Sequence, residues 1–83
     1  MIELTEITQT GHFCPSQWEG KTTDGLDVYI RYRWGHLSVQ IGLLPGDDPL
    51  DRGKTIFSQD LGDGFDGTMT TTDMLKHTGI THG

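Results

Sequence analysis

The sequence contains little that would crosslink the chain or carry it into a membrane. Cys14 is the only cysteine, so no disulfide can form within the chain. No apolar stretch approaches the roughly 20 residues that a helix needs to span a bilayer. The opening residues 1–6 contain neither a basic segment nor an apolar run, so we expect no signal peptide and predict a cytoplasmic location.

Basic residues are also scarce, with six Lys and Arg against twelve Asp and Glu and a net charge of −6. Binding to duplex nucleic acid generally requires a broad basic surface, so this balance argues against it. The sequence has no phosphate-binding loop, dinucleotide fingerprint or paired-carboxylate pattern. We therefore expect a protein that binds without catalysing a reaction and that carries no cofactor.

Hydrophobic residues make up only 33% of the 83 residues, and twelve residues are glycine. A chain of this length buries roughly 60–65% of its unfolded surface, and each glycine adds to the entropy lost on folding. We expect a single small β-rich domain over residues 1–83. A homo-oligomer is favoured over a monomer, because subunit contacts would bury further apolar surface.

The most informative feature that the sequence does contain is an alternating segment over residues 26–41. Apolar and polar residues alternate there on both sides of Trp34 and Gly35. This period of two predicts an antiparallel hairpin with one apolar and one polar face. A two-residue turn at Trp34 and Gly35 would fix the register. The cross-strand pairs on the polar face are then Tyr29 with Gln40, Arg31 with Ser38, and Arg33 with His36.

A further strand over residues 16–22 precedes this hairpin, and the connecting turn decides which face carries Trp18. A two-residue turn would place Trp18 opposite Arg31 on the polar face. A three-residue loop ending in a left-handed Gly25 would place Trp18 opposite Ile30 on the apolar face. We favour the three-residue loop, because it also brings opposite charges together across the strands. These charged neighbours are Lys21 with Asp27 and Glu19 with Arg31.

The flanking segments complete the predicted fold. Residues 1–8 indicate a first strand whose broken alternation predicts a short, bulged or edge strand. Residues 43–54 are interrupted by Pro and Gly and predict an exposed loop, after which Thr55–Gln59 could return as another strand. Thr70–Thr78 predicts a short helix that Gly79 ends. The predicted fold is α+β and mainly β, an antiparallel meander of three to five strands with the helix on its apolar face.

The polar face of the hairpin gathers residues that suit an anion. The planar guanidinium of arginine binds phosphate or carboxylate, and tyrosine offers a stacking face and a hydroxyl. We hypothesise a site for an anionic, nucleotide-like ligand. Its residues are Tyr29, Arg31, Arg33, Trp34, His36 and Ser38. The alternative interpretation is a solvated face whose arginines pair with Glu19 and Asp27.

Other reactive residues lack the spacing that a metal or catalytic site requires. Asp60, Asp63 and Asp66 lie in a glycine-rich segment but do not follow the spacing of a calcium loop. The histidines and Cys14 form no closely spaced pair of the kind that binds zinc. Nothing nearby in the sequence would activate Cys14 as a nucleophile. We expect no metal site and no catalytic residue.

A second functional hypothesis rests on the acidic part of the chain. Seven of the twelve acidic residues lie between Asp47 and Asp73, where only Arg52 and Lys54 oppose them. This stretch would imitate the charge of nucleic acid and occupy a basic groove of a host protein, as an anti-CRISPR-like inhibitor would. The contacting residues would be Asp47, Asp48 and Asp51. A third alternative is a structural or assembly subunit.

One part of the sequence resembles small proteins of bacteria and their phages for which no activity is assigned. The resemblance rests on residues 14–22 (CPSQWEGKT), residues 24–25 (DG), residues 28–35 (VYIRYRWG) and residues 37–39 (LSV). It implies a compact accessory protein, carried by a phage and acting in the host cytoplasm. Such a protein would evade host defence by sequestering a small signal or by inhibiting a host protein. It implies no functional residues.

Overall fold

The computed structural model describes residues 3–12, 16–33, 35–60 and 69–82, which form a six-stranded sheet and a short helix. The elements are β1 (Glu3–His12), β2 (Ser16–Thr22), β3 (Asp27–Arg33), β4 (His36–Gly42), β5 (Gly53–Asp60), α1 (Thr71–Thr78) and β6 (Thr81–His82). The strand order is β5-β4-β3-β2-β1-β6. The first five strands form the predicted antiparallel meander, whereas β6 pairs in parallel with β1. The mainly β fold with one helix is confirmed.

The register of the central strands is the one that the sequence favoured. Trp18 pairs with Ile30, as the three-residue loop requires. Gly25 has a φ of 84°, a left-handed conformation that glycine adopts without a side-chain clash. Arg33 pairs with His36 across the second turn. The strand alternation therefore separates an apolar and a polar face as predicted.

The apolar face of the sheet forms the core together with α1. Thr70 caps the start of the helix with its hydroxyl, and Gly79 ends it with a φ of 75°. The indole Nε1 of Trp18 donates a hydrogen bond to Thr71 Oγ1 at 2.8 Å, which ties the sheet to the helix. The buried apolar residues are Leu4, Trp18, Val28, Ile30, Tyr32, Leu37, Val39, Ile41, Met74 and Ile80.

The strands at the two ends of the sheet differ from the prediction. β1 continues to His12 because two bulges, at 4–6 and 9–11, let the strand recover its pairing after each break in alternation. β5 begins at Gly53, two residues before the predicted start. β6 was not predicted, since a strand of two residues has no measurable period. The sixth strand therefore corrects the predicted upper limit of five.

The connection between β4 and β5 folds back against the sheet rather than extending into solvent. Gly42 and Gly53 are paired at its base. A Cβ on Gly42 would lie 2.7 Å from the carbonyl oxygen of Asp47, and one on Gly53 would clash with the carbonyl oxygen of Pro49. The absence of both side chains allows the loop backbone to approach the sheet this closely.

Candidate functional site

The polar face brings together the predicted ligand-binding residues that the structure describes. Tyr29, Arg31 and Arg33 alternate along β3, and His36 and Ser38 alternate along the neighbouring β4. Arg31 pairs with Ser38, and Arg33 pairs with His36, so the two arginines share one side of the sheet. Trp34, the sixth predicted residue, lies outside the described residues.

The guanidinium of Arg31 contains a polar atom that is not satisfied within the described residues. Its Nε atom is buried and has no hydrogen-bond partner in the described part of the chain. Among the described residues Arg31 forms no ion pair, and the carboxylate of Asp27, one of its suggested partners, lies 3.8 Å from Lys21 Nζ instead. A buried donor without an acceptor costs about 1–3 kcal/mol, so such groups are rare in folded proteins. An acceptor supplied by a ligand would remove this cost.

His36 is held by side chains of β5. Its Nδ1 lies 2.6 Å from Asp60 Oδ1, and its Nε2 lies 2.8 Å from Ser58 Oγ. Both ring nitrogens are therefore engaged within the chain. The side chain of Asp60 is 86% exposed and that of His36 45%, so the pair adds little stability but fixes the orientation of the ring. Ser58 and Asp60 were missed because their position depends on the register of β5.

Tyr29 lies at the centre of this face and is half-buried. Burial raises the pKa of its hydroxyl above the ordinary value of 10.0; the positive charge of Arg31 opposes this rise, and the negative charge of Glu19 adds to it. The hydroxyl therefore remains protonated at neutral pH and is available as a hydrogen-bond donor. Tyr29 therefore lies close enough to Arg31 and Glu19 for both charges to affect the pKa of its hydroxyl.

A cavity of about 1020 Å³ lies between the polar face of β1–β3 and the loop over residues 46–50. Among the described residues, Tyr29 is the one predicted ligand-binding residue that lines it. The charged lining residues are Glu6, Glu19, Asp27, Asp48 and Lys21, with His82 of β6 at the side of β1. The cavity is therefore mainly acidic. Sequence reasoning missed it because its walls depend on the bulges of β1 and on the folding back of the loop.

The predicted protein-contacting residues, Asp47, Asp48 and Asp51, lie in the loop between β4 and β5. Asp48 organises part of this loop, since its Oδ1 accepts a hydrogen bond from the backbone N–H of Leu50 at 2.9 Å. Asp48 and Asp51 are exposed, whereas Asp47 is half-buried. Exposed leucines accompany these acids in the same loop. They are Leu43, Leu44 and Leu50, each more than half exposed.

The remaining predictions concern metals and membranes. In the described part of the chain, no three His, Cys, Asp or Glu side chains are grouped in a way that could hold a metal ion. Cys14, Asp63 and Asp66 lie outside that part, and Asp60 is instead the partner of His36. The helix at residues 71–78 has only eight residues, and none of the helices in the described ranges is long and apolar enough to cross a membrane.

Comparisons of this chain with family models, with curated proteins and with solved structures give no match.

Proposed function

We propose that this chain is a non-enzymatic binding protein that sequesters an anionic, nucleotide-like ligand on the polar face of β3 and β4. The observation that carries the proposal is the buried Nε of Arg31, which has no hydrogen-bond partner among the described residues. A phosphate or carboxylate would bind the guanidinium and neutralise its charge, and a turn of the Arg31 side chain would bring the covered Nε–H to the ligand oxygens. Catalytic turnover has no role in this proposal.

The neighbouring residues would each make a different contribution. Arg33 adds a second positive charge on the same face, and Ser38, opposite Arg31, offers a hydroxyl. Tyr29 supplies a ring for stacking and a protonated hydroxyl. His36 is held in place by Asp60 and Ser58 of β5, so its ring would form the boundary of the site on the side of β5. In a phage setting, such as the resemblance suggests, removal of a nucleotide signal would counteract host defence.

Thermal unfolding in the presence of mononucleotides, dinucleotides and cyclic dinucleotides tests this proposal. A ligand at 100 times its Kd stabilises the folded state by about 2.7 kcal/mol, which raises the Tm of a domain this small by roughly 10 °C or more. We expect Arg31→Gln to abolish that rise. Arg52→Gln is the matched control, because Arg52 is exposed, belongs to neither β3 nor β4, and is not among the described residues that line the cavity. An equal rise in wild type and Arg31→Gln would overturn the proposal.

The loop over residues 43–52 favours a second candidate function, the inhibition of a basic host protein. Its exposed leucines stand beside exposed aspartates. Apolar side chains would contribute buried area to a protein interface, while the acids would select a basic partner and speed association. This combination would suit a protein groove better than a small ligand.

Salt dependence separates the two candidates. Capture of a basic protein through this loop would weaken as salt is raised, and also in a variant carrying Asp47→Asn, Asp48→Asn and Asp51→Asn. The Arg31→Gln variant would capture it normally. Capture that neither salt nor the triple variant reduces would contradict the inhibitor hypothesis and would favour a structural or assembly role.

A further inference from the structure

We infer that the ligand carries an amino group as well as an anion: its anionic group lies at Arg31, and an amino-bearing ring extends past Tyr29 into the acidic cavity. This inference rests on the proposed function and adds the chemical class and direction of the ligand. It follows from the position of Tyr29, which belongs to the arginine face and also lines the cavity.

The two binding regions are close enough for one small molecule. Tyr29 and Arg31 lie two positions apart on one strand and point to the same face, which places them about 7 Å apart. Glu19 pairs with Tyr29 across β2 and β3, so a carboxylate lies beside the ring. A ligand with a phosphate and a ring joined by a short spacer would cover this distance.

The charges in the cavity determine which end of the ligand enters it. Lys21 is the only Lys or Arg among the lining residues of the described chain, and its ammonium group lies 3.8 Å from the carboxylate of Asp27. Glu6, Glu19 and Asp48 add further negative charge. An anion would be repelled from this cavity, whereas an amino group would donate to the carboxylates. The phosphate must therefore remain at the Arg31 end.

The opposite wall of the cavity suits a flat ring. Pro49 and Leu50 of the loop line the cavity and offer apolar surface across from the sheet. Leu50 is 57% exposed, so it can lose further contact with water when a ring binds. A ring between this wall and Tyr29 would contact apolar or aromatic surface on two sides, with its amino group directed at Glu19 or Asp48.

Paired nucleotides that differ in the amino group provide the test. AMP and CMP carry an exocyclic amine, whereas purine riboside 5′-monophosphate and UMP do not, and inorganic phosphate serves as the anion alone. By calorimetric titration we expect wild-type protein to bind AMP or CMP at least about tenfold more tightly than the matching nucleotide without the amine, as a charged hydrogen bond of about 1.5 kcal/mol or more implies.

Variants then separate failure of this inference from failure of the proposed function. Glu19→Gln and Asp48→Asn should reduce the preference for the amine, while Glu3→Gln, which removes an exposed acid outside the cavity, should leave it unchanged. If all nucleotides bind equally but depend on Arg31, the inference fails and the proposed function stands. If binding is absent, or is the same in Arg31→Gln, both fail.

Discussion

The two faces of the sheet use their polar groups in opposite ways. On the apolar face the one polar atom of Trp18 is satisfied, because its indole N–H donates to Thr71. On the polar face Arg31 keeps a buried N–H for which residues 3–12, 16–33, 35–60 and 69–82 supply no acceptor, beside a cavity with an excess of carboxylates. If stability were the sole requirement, buried polar groups on both faces would have hydrogen-bond partners. One face therefore maintains the fold, while the other retains an unsatisfied group that is expected to lower stability and that the proposed function assigns to binding.

The contrast predicts that the largest loss of stability will come from the apolar face. Trp18 is fully buried at the centre of the core. Trp18→Ala would remove its apolar contacts and its hydrogen bond to Thr71, at a cost of about 3–5 kcal/mol. A domain of this size has only about 4–12 kcal/mol in total. We expect the variant to be largely unfolded or to unfold at a much lower urea concentration than wild type. Circular dichroism during a urea titration measures this midpoint.

Trp18→Phe keeps this prediction testable if the alanine variant does not fold. Phenylalanine retains most of the apolar contact but cannot donate to Thr71 Oγ1. We expect a smaller loss, about 1–3 kcal/mol, since volume is lost and the hydroxyl of Thr71 loses a partner. Losses below 0.5 kcal/mol for both variants would show that this face does not dominate the stability.

A second prediction concerns the loop that forms the outer wall of the cavity. Gly53→Ala would bring a Cβ against the carbonyl oxygens of Pro49 and Ile41, both backbone atoms. We expect a loss of about 1–3 kcal/mol together with weaker nucleotide binding, because the loop must move. Gly46→Ala is the comparison, since its φ of 91° makes alanine unfavourable although no atom lies within 4 Å. If Gly53→Ala unfolds and binds nucleotide as wild type does, the close approach at Gly53 is unimportant.

Much of this contrast could be predicted from the sequence, because strand alternation and turn geometry are local. The left-handed Gly25 and the pairing of Lys21 with Asp27 together fix which face Trp18 occupies. The helix was equally predictable, since Thr70 supplies the cap and Gly79 the left-handed end. Each of these features depends on residues close together in the chain or on a single short turn.

The features that could not be predicted depend on contacts between distant segments. His36 meets Ser58 and Asp60 only because β5 pairs with β4 with a bulge that shifts the register. The cavity requires the bulged register of β1 and a loop that folds back at Gly53. Alternation over a few residues carries no information about either, so the sequence predicted the arginine face but not the acidic cavity beside it.

A third prediction tests whether the polar face lowers stability. Arg31→Met keeps an unbranched apolar stem as far as the position of Nε but removes the buried N–H together with the rest of the guanidinium. We expect the unfolding free energy in the absence of ligand to stay the same or to rise by about 1 kcal/mol, because an unsatisfied donor is removed. Binding of nucleotide should be lost in the same variant. A loss of stability above 1 kcal/mol would mean that the Arg31 guanidinium stabilises the fold.

The smallest expected effect concerns the pH dependence of Tyr29. Because burial raises the pKa of its hydroxyl in the folded state, the folded chain holds this proton at pH values where the unfolded chain has lost it. The unfolding free energy is therefore unaffected by Tyr29 below its ordinary pKa of 10.0 and falls as the pH rises above it. Urea titrations between about pH 8 and 11 cover the range in which tyrosine ionises. Over this range the unfolding free energy of Tyr29→Phe should fall less than that of wild type. Parallel profiles would show that the hydroxyl is as well solvated as in the unfolded chain, and would weaken its assignment as a protonated donor at the junction of the arginine face and the cavity.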